Sequence, residues 1–274
     1  MRFLLWLVLA GALGYAGVLG ALYVFQRRIV FQPDPSTPDL QAANVPGLVA
    51  IHTETSDGLA LLAWYRPAQP GQPTLLYLHG NGGNIANRIP RMHRFAPTGW
   101  GLFFAEYRGY GGNPGSPSES GFTLDATAAA GWLQARGVAG SDLILYGESI
   151  GTGVATRLAT TRPVAALILE SPYTSIRAIA EARYPWAPVR RLTRDPFELL
   201  DLIPQVHAPV LVLQGLHDDI VPPAMGQAVH AAANPPAELW SDPHAGHNDL
   251  LDHGAIEAAI AFIARHRHAS VNSE

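Results

Sequence analysis

Six short apolar runs alternate with helical stretches along most of this chain, and that alternation constrains its fold more than any other feature. The runs are TLLYLHG, GLFFAEY, LILYG, AALILES, PVLVLQG and AELWSD, beginning at residues 74, 101, 143, 165, 209 and 237. Helical patterns fall at Ser118–Arg136, Ile150–Thr161, Pro223–Ala233 and Ala255–Arg267. Apolar runs of this length between helices indicate βαβ units and a mostly parallel sheet covered on both faces. Two earlier runs, LVAIHTE and LALLAWYR, flank the turn Asp57-Gly58 and read as an antiparallel pair.

Ahead of the sheet, Phe3 to Phe25 holds no charged residue. Its 23 positions, at about 1.5 Å each, make roughly 34 Å of helix, enough for a hydrocarbon core of about 30 Å. The apolar core of a cleaved signal is usually about 7–15 residues, so a membrane anchor is the expected reading and a cleaved signal the alternative. Trp6 and Tyr23 are placed as interfacial anchors. Arg2 and the amino terminus flank one end and Arg27 with Arg28 the other, a near tie in positive charge. Short N-terminal anchors commonly insert with the amino terminus inside, so an exported, periplasmic-side domain is the expectation. The domain reading is an anchor at 1–28, a proline-rich juxtamembrane linker at 29–46, the α/β domain at 47–268 and a disordered tail at 269–274.

A formal net charge of −4 argues against a nucleic-acid partner. The chain has no cysteine, which excludes disulfides, thiolate metal sites and a cysteine nucleophile. The glycine-rich loops fail the dinucleotide spacing: counting five positions on from Gly80 and Gly109 reaches Ile85 and Pro114. No cofactor and no metal are expected.

Ligands of open α/β sheets bind at the carboxyl ends of the strands, and polar loops follow five of the runs. Gly147-Glu148-Ser149-Ile150-Gly151 fits G-x-S-x-G with a strand before it and a helix after it. The glycines leave room for a sharp turn that lifts the serine oxygen to a helix N-terminus, where backbone N–H groups favour an oxyanion. His247 follows the last run and Asp218 the one before it. Serine, aspartate and histidine in that order, each at a strand end, make a nucleophile, an orienting acid and a general base.

These stretches resemble the α/β-hydrolase superfamily of serine hydrolases. The likeness is nearest to its membrane-anchored, alpha/beta-hydrolase domain-containing branch, which includes protein depalmitoylases and uncharacterised bacterial members. It rests on YLHGNGGN, EYRGYGGNPGSPSE, GESIG, LESPYTS, QGLHDDIVP and HAGHND, spread over roughly 48–265, with QRRIVFQPDP ahead of them. It implies an α/β-hydrolase fold; the length between Ser171 and Pro209 leaves space for only a short cap, and hence an open, shallow pocket. It implies Ser149 as nucleophile, Asp218 as triad acid with Asp219 the alternative, and His247 as base, with His244 a surface residue. The backbone N–H groups of Asn81 and Ile150 become the oxyanion donors. His79 is expected to shape its loop, and Tyr107, Arg108 and Tyr110 to brace the next one, with a substrate role for Arg108 open. Tyr173 reads as packing near the pocket, and 265–268 as a solvated helix end. Glu106 and Gln214 depart from the family's usual aspartate and histidine.

The expected activity is hydrolysis of a carboxylic ester or thioester through an acyl-enzyme, on a small acyl ester, thioester or lipid-like substrate. A serine peptidase or amidase is the alternative on the same machinery. A non-catalytic scaffold is disfavoured because no triad member is missing. A dehalogenase is disfavoured because its elbow carries aspartate.

Overall fold

Every apolar run is a strand of one sheet in the computed structural model, which describes residues 1–271. The strands are β1 (Val49–Glu54), β2 (Ala60–Arg66), β3 (Thr74–Leu78), β4 (Gly101–Ala105), β5 (Leu143–Glu148), β6 (Ala166–Glu170), β7 (Val210–Gly215) and β8 (Ala237–Asp242). Their spatial order is β8-β7-β6-β5-β3-β4-β2-β1. β2 runs antiparallel to both β1 and β4, and the other neighbours are parallel. This is the α/β-hydrolase fold.

Both faces of the sheet are dry, which is why its central strands are continuously apolar rather than alternating. On one face Leu76, Phe103, Leu145 and Leu167 pack beneath Phe122, Ala126 and Leu158. On the other, Leu75, Phe104, Ile144 and Ile168 meet Met92, Phe95, Ile256 and Phe262. Each such leucine or phenylalanine, fully buried, is worth roughly 1.5–3 kcal/mol. Tyr77 stacks between Phe104 and Tyr146 at centroid separations of 4.7 and 4.9 Å.

The helices are α1 (Arg2–Val30), α2 (Ile89–Phe95), α3 (Glu119–Gln134), α4 (Ile150–Thr161), α5 (Ile176–Arg183), α6 (Val189–Leu192), α7 (Leu199–Leu202), α8 (Pro223–Ala232) and α9 (Ala255–Val271), besides a single turn at Leu40–Ala43. Ser118 caps α3 by accepting from the Gly121 N–H at 3.0 Å, and Ser175 caps α5 by accepting from Ala178 at 2.9 Å. Such caps satisfy N–H groups that the first turn leaves without partners. α2 and the three short helices after β6 have no apolar periodicity long enough to announce them. α9 runs past Arg267 to Val271, so it overlaps the stretch read as a tail; residues 272–274 lie outside the described ones.

α1 is long and apolar enough to cross a membrane, with a mean hydropathy of 2.0 in its most apolar window and no buried residue. The stretch expected as a linker, 29–46, is docked rather than free. Phe31 is 3% exposed and packs edge-on against Phe122 and Phe197. Gln32 and Pro33 form a two-residue parallel ladder with Gly82 and Gly83. An aromatic residue placed directly after α1 has a core to enter, and burial outweighs the stiffness of the prolines that follow.

Candidate active site

β5 ends at Glu148, and the chain turns at Ser149 into α4. Ser149 has φ +49° and ψ −116°, a left-handed backbone for a residue with a Cβ. Such a conformation costs of order 1–3 kcal/mol and persists only when its surroundings hold it. Here the Ser149 N–H donates to the Glu170 carbonyl at 2.8 Å, and its own carbonyl accepts from the Thr152 N–H and hydroxyl at 2.9 and 2.6 Å. A Cβ on Gly147 would come within 2.5 Å of the Gly151 carbonyl oxygen, and one on Gly151 would collide with the Leu78 carbonyl. The two motif glycines are therefore required by the close passage of α4 over β3. Although Ser149 occupies the N-cap position of α4, its hydroxyl makes no capping bond.

That hydroxyl instead meets His247. Nε2 of His247 lies 3.0 Å from Ser149 Oγ, and Nδ1 lies 2.7 Å from Asp218 Oδ2. Asp218 Oδ1 accepts from the N–H groups of Ile220 and Val221 at 3.0 and 2.7 Å. Burial works against its negative charge, but the hydrogen bond and charge of His247 and the two backbone donors prevail and hold the carboxyl below its ordinary range. Asp219 lines the cavity that Ser149 and His247 also line, but makes no such bond, and His244 is exposed. The three side chains come from the ends of β5, β7 and β8, whose aligned registers bring loops remote in sequence to one edge.

Asn81 and Ile150 line the same cavity. Ile150 is the first residue of α4, where the leading N–H groups have no partner within the helix. The Asn81 side-chain oxygen accepts from the Gln32 N–H and the Tyr110 hydroxyl, each at 3.2 Å, which fixes its loop. His79 is fully buried behind that loop, with Nε2 2.8 Å from Glu106 and Nδ1 2.7 Å from the Gly80 carbonyl. Glu106 also accepts from the Ile85 N–H at 2.8 Å. Arg108 is held by Asp57 and Asp125, outside the cavity lining. Tyr173 donates its hydroxyl to the Ile150 carbonyl at 3.1 Å. Gln214 Nε2 donates to the Gly215 carbonyl at 3.0 Å, beside Asp218. Arg265 and His266 pair with Glu238 at the helix end. Among the described residues no three histidine, aspartate or glutamate side chains are grouped to share a metal ion.

Two features had no signal in the sequence. Glu148 binds Arg88 through two nitrogens at 3.0 and 2.8 Å and accepts from the Tyr77 hydroxyl at 2.7 Å. Arg88 in turn donates to the Gly82 carbonyl at 2.6 Å, so one ion pair joins the serine turn to the loop carrying Asn81. Burial opposes the Glu148 charge, but Arg88 and Arg91 overcome it and hold the carboxyl well below its usual range. Below it Arg91 pairs with Glu170 at 2.5 Å, and Tyr146 donates to the same carboxylate. The second is the make-up of the cavity, which has a volume of about 920 Å³. The end of α1 (Ile29, Val30) and the cap (Ile176, Ile179, Tyr184) add walls that loop length alone did not reveal.

Comparison with known proteins agrees with this architecture. The Hydrolase_4 family, described as serine aminopeptidase S33, matches residues 69–194. An uncharacterised protein of Mycobacterium tuberculosis is 39% identical over 254 residues, covering 91% of this chain and 90% of its own. The alpha/beta hydrolase domain-containing protein WAV2 of Arabidopsis thaliana is 32% identical, covering 86% and 87%. The lysophosphatidylserine lipase ABHD12 of Xenopus tropicalis is 32% identical over 200 residues, which span 65% of this chain and 51% of that one. An esterase of Pyrococcus furiosus superposes with a TM-score of 0.70 at 18% identity, covering 86% of this chain and 97% of its own. The chain belongs to the α/β-hydrolase superfamily.

Proposed function

We propose that this protein is a serine hydrolase that cleaves a carboxylic ester or thioester of a lipid-like acyl group. The observation that carries the reading is the continuous chain Ser149–His247–Asp218, at 3.0 and 2.7 Å, beside a cavity with one apolar wall, Ile29, Val30, Ile176 and Ile179, among polar ones. His247 takes the Ser149 proton as Oγ attacks the acyl carbon, and returns it to the departing alcohol or thiol. Asp218 orients the imidazole and stabilises its charged form. The oxyanion is held by the N–H groups of Asn81 and Ile150, at a helix N-terminus that favours negative charge. Water, activated by the same histidine, then releases the acid and restores Ser149.

The lipase activity named for the frog relative is in keeping with an ester of lipid character. The family description, serine aminopeptidase, favours a second reading in which the leaving group is an amine. A panel of acyl esters, thioesters and aminoacyl amides separates the two by kcat/KM. A fluorophosphonate probe is expected to label the native protein and not Ser149→Ala, and equal labelling of both would overturn the nucleophile. Loss of Ser149 or His247 is expected to lower turnover by about 10⁴-fold or more.

A further inference from the structure

We propose that the tip of the cap, Tyr184–Val189, is embedded in the bilayer beside α1, and that the groove between them delivers one acyl chain of a membrane lipid ester to Ser149. This rests on the reading of Ser149 as the nucleophile and of α1 as a membrane span.

The cap grips the middle of α1, not only its end. The Tyr15 hydroxyl donates to the Trp186 carbonyl at 2.9 Å, and the two rings meet edge-on at 6.3 Å. Nearer the domain, Gln26 donates to the Leu192 carbonyl at 3.0 Å and accepts from the Arg194 N–H at 2.8 Å. The 12 uncharged residues from Phe3 to Gly14 rise only about 18 Å, well short of a hydrocarbon core of about 30 Å. If α1 crosses that core, Tyr15 and the residues after it lie within it, and Trp186 lies there with them.

The tip is built for that position. Its six residues, YPWAPV, carry no charge and are bracketed by Arg183 on one side and Arg190 with Arg191 on the other. Arginines at such boundaries sit at lipid headgroups while the apolar stretch between them enters the acyl region. Pro185 and Pro188 have no N–H to leave unpaired in lipid. The Tyr184 and Ala187 carbonyls accept from the N–H groups of Ala187 and Val189 at 3.0 and 2.8 Å. The Trp186 carbonyl accepts from Tyr15, so two polar groups that hydrocarbon would strand satisfy each other. Trp186 remains 51% exposed although its ring meets Tyr15 and Tyr184 edge-on, so half of a large aromatic side chain faces outward.

Between α1 and the cap runs an apolar groove whose walls include Leu22, Val189 and Leu192. Ile29, Val30, Ile176, Ala180 and Tyr184 wall both this groove and the cavity above Ser149. The two spaces are therefore adjacent and share one wall. From Val30 to Leu22 the groove follows α1 for about 12 Å towards the membrane. A lipid chain entering sideways from the leaflet stays in an apolar setting until its ester reaches the polar strand ends.

The test uses the full chain in phosphatidylcholine vesicles and a fluorophosphonate with a sixteen-carbon chain ending in a diazirine. After the probe reacts at Ser149, irradiation is expected to cross-link its tail to peptides containing Leu22 or Val189–Leu192. Labelling at Ser149 with cross-links only elsewhere overturns the channel and leaves the nucleophile standing. Absence of labelling at Ser149 overturns both. Because the chain has no cysteine, Trp186→Cys carries a polarity-sensitive dye at a single site. Quenching by lipids with nitroxide on the acyl chain is expected, and quenching only by aqueous iodide overturns the embedded tip.

Discussion

Glu148 and Ser149 are adjacent, yet they differ in how far the sequence discloses them. The serine is legible because its two glycines are a steric requirement of a strand turning sharply into a helix, and that requirement is local. The glutamate is not, because its partner Arg88 lies 60 positions away and Tyr77 lies 71. Its folded pKa is depressed below the ordinary 4.5, so the stability it contributes is fully present above that value and is lost as pH falls towards the folded one. Glu148→Gln leaves the Arg88 charge buried and uncompensated, at an expected cost of about 3–5 kcal/mol near neutral pH. Denaturant titrations in detergent at a series of pH values are expected to show the native protein losing stability below about pH 4.5, with a flatter curve for the variant. Asp218→Asn keeps the size of the side chain but removes the charge that, in the proposed mechanism, orients His247. Its kcat is expected to fall by about 10⁴-fold with the fold intact, read from kinetics alongside circular dichroism.

At the scale of elements, the strands were readable because a strand covered on both faces must be continuously apolar. The long helices were readable from their period, and α4 spans the expected Ile150–Thr161. The cap helices were not, since α6 and α7 have four residues each and their placement comes from contacts of α6 with α1 and of α7 with α4 and α8. The segment after α1 teaches the same lesson. Its prolines suggest a spacer, but Phe31 is closed in by Phe122 and Phe197 at 5.3 and 6.4 Å. Phe31→Ala is expected to cost about 3 kcal/mol or more through the cavity it leaves. For a domain of this size that is a fall in Tm of roughly 6–12 °C, measured by thermal unfolding in detergent. A free linker would show no change.

For the whole molecule, reading α1 as a membrane span makes a prediction about the side on which the hydrolase domain lies. Arg2 stands against Arg27 and Arg28 across the apolar stretch, and Arg27 is engaged with Asp195 at 2.7 Å. A C-terminal alkaline phosphatase fusion is expected to be active, as an exported domain requires, while a C-terminal fluorescent reporter that folds only inside the cell is expected to stay dark; the reverse pattern would place the domain inside. The sequence by itself determined the parallel sheet, the strand ends that carry polar loops, the serine turn and the order of serine, aspartate and histidine. All of these are local patterns of period, sterics and position. Only the tertiary structure decided which of Asp218 and Asp219 faces His247, that Glu148 ties the serine turn to the Asn81 loop, and that α1 walls the cavity. Those depend on side chains brought together across many tens of residues, and such contacts leave no period or spacing along the chain.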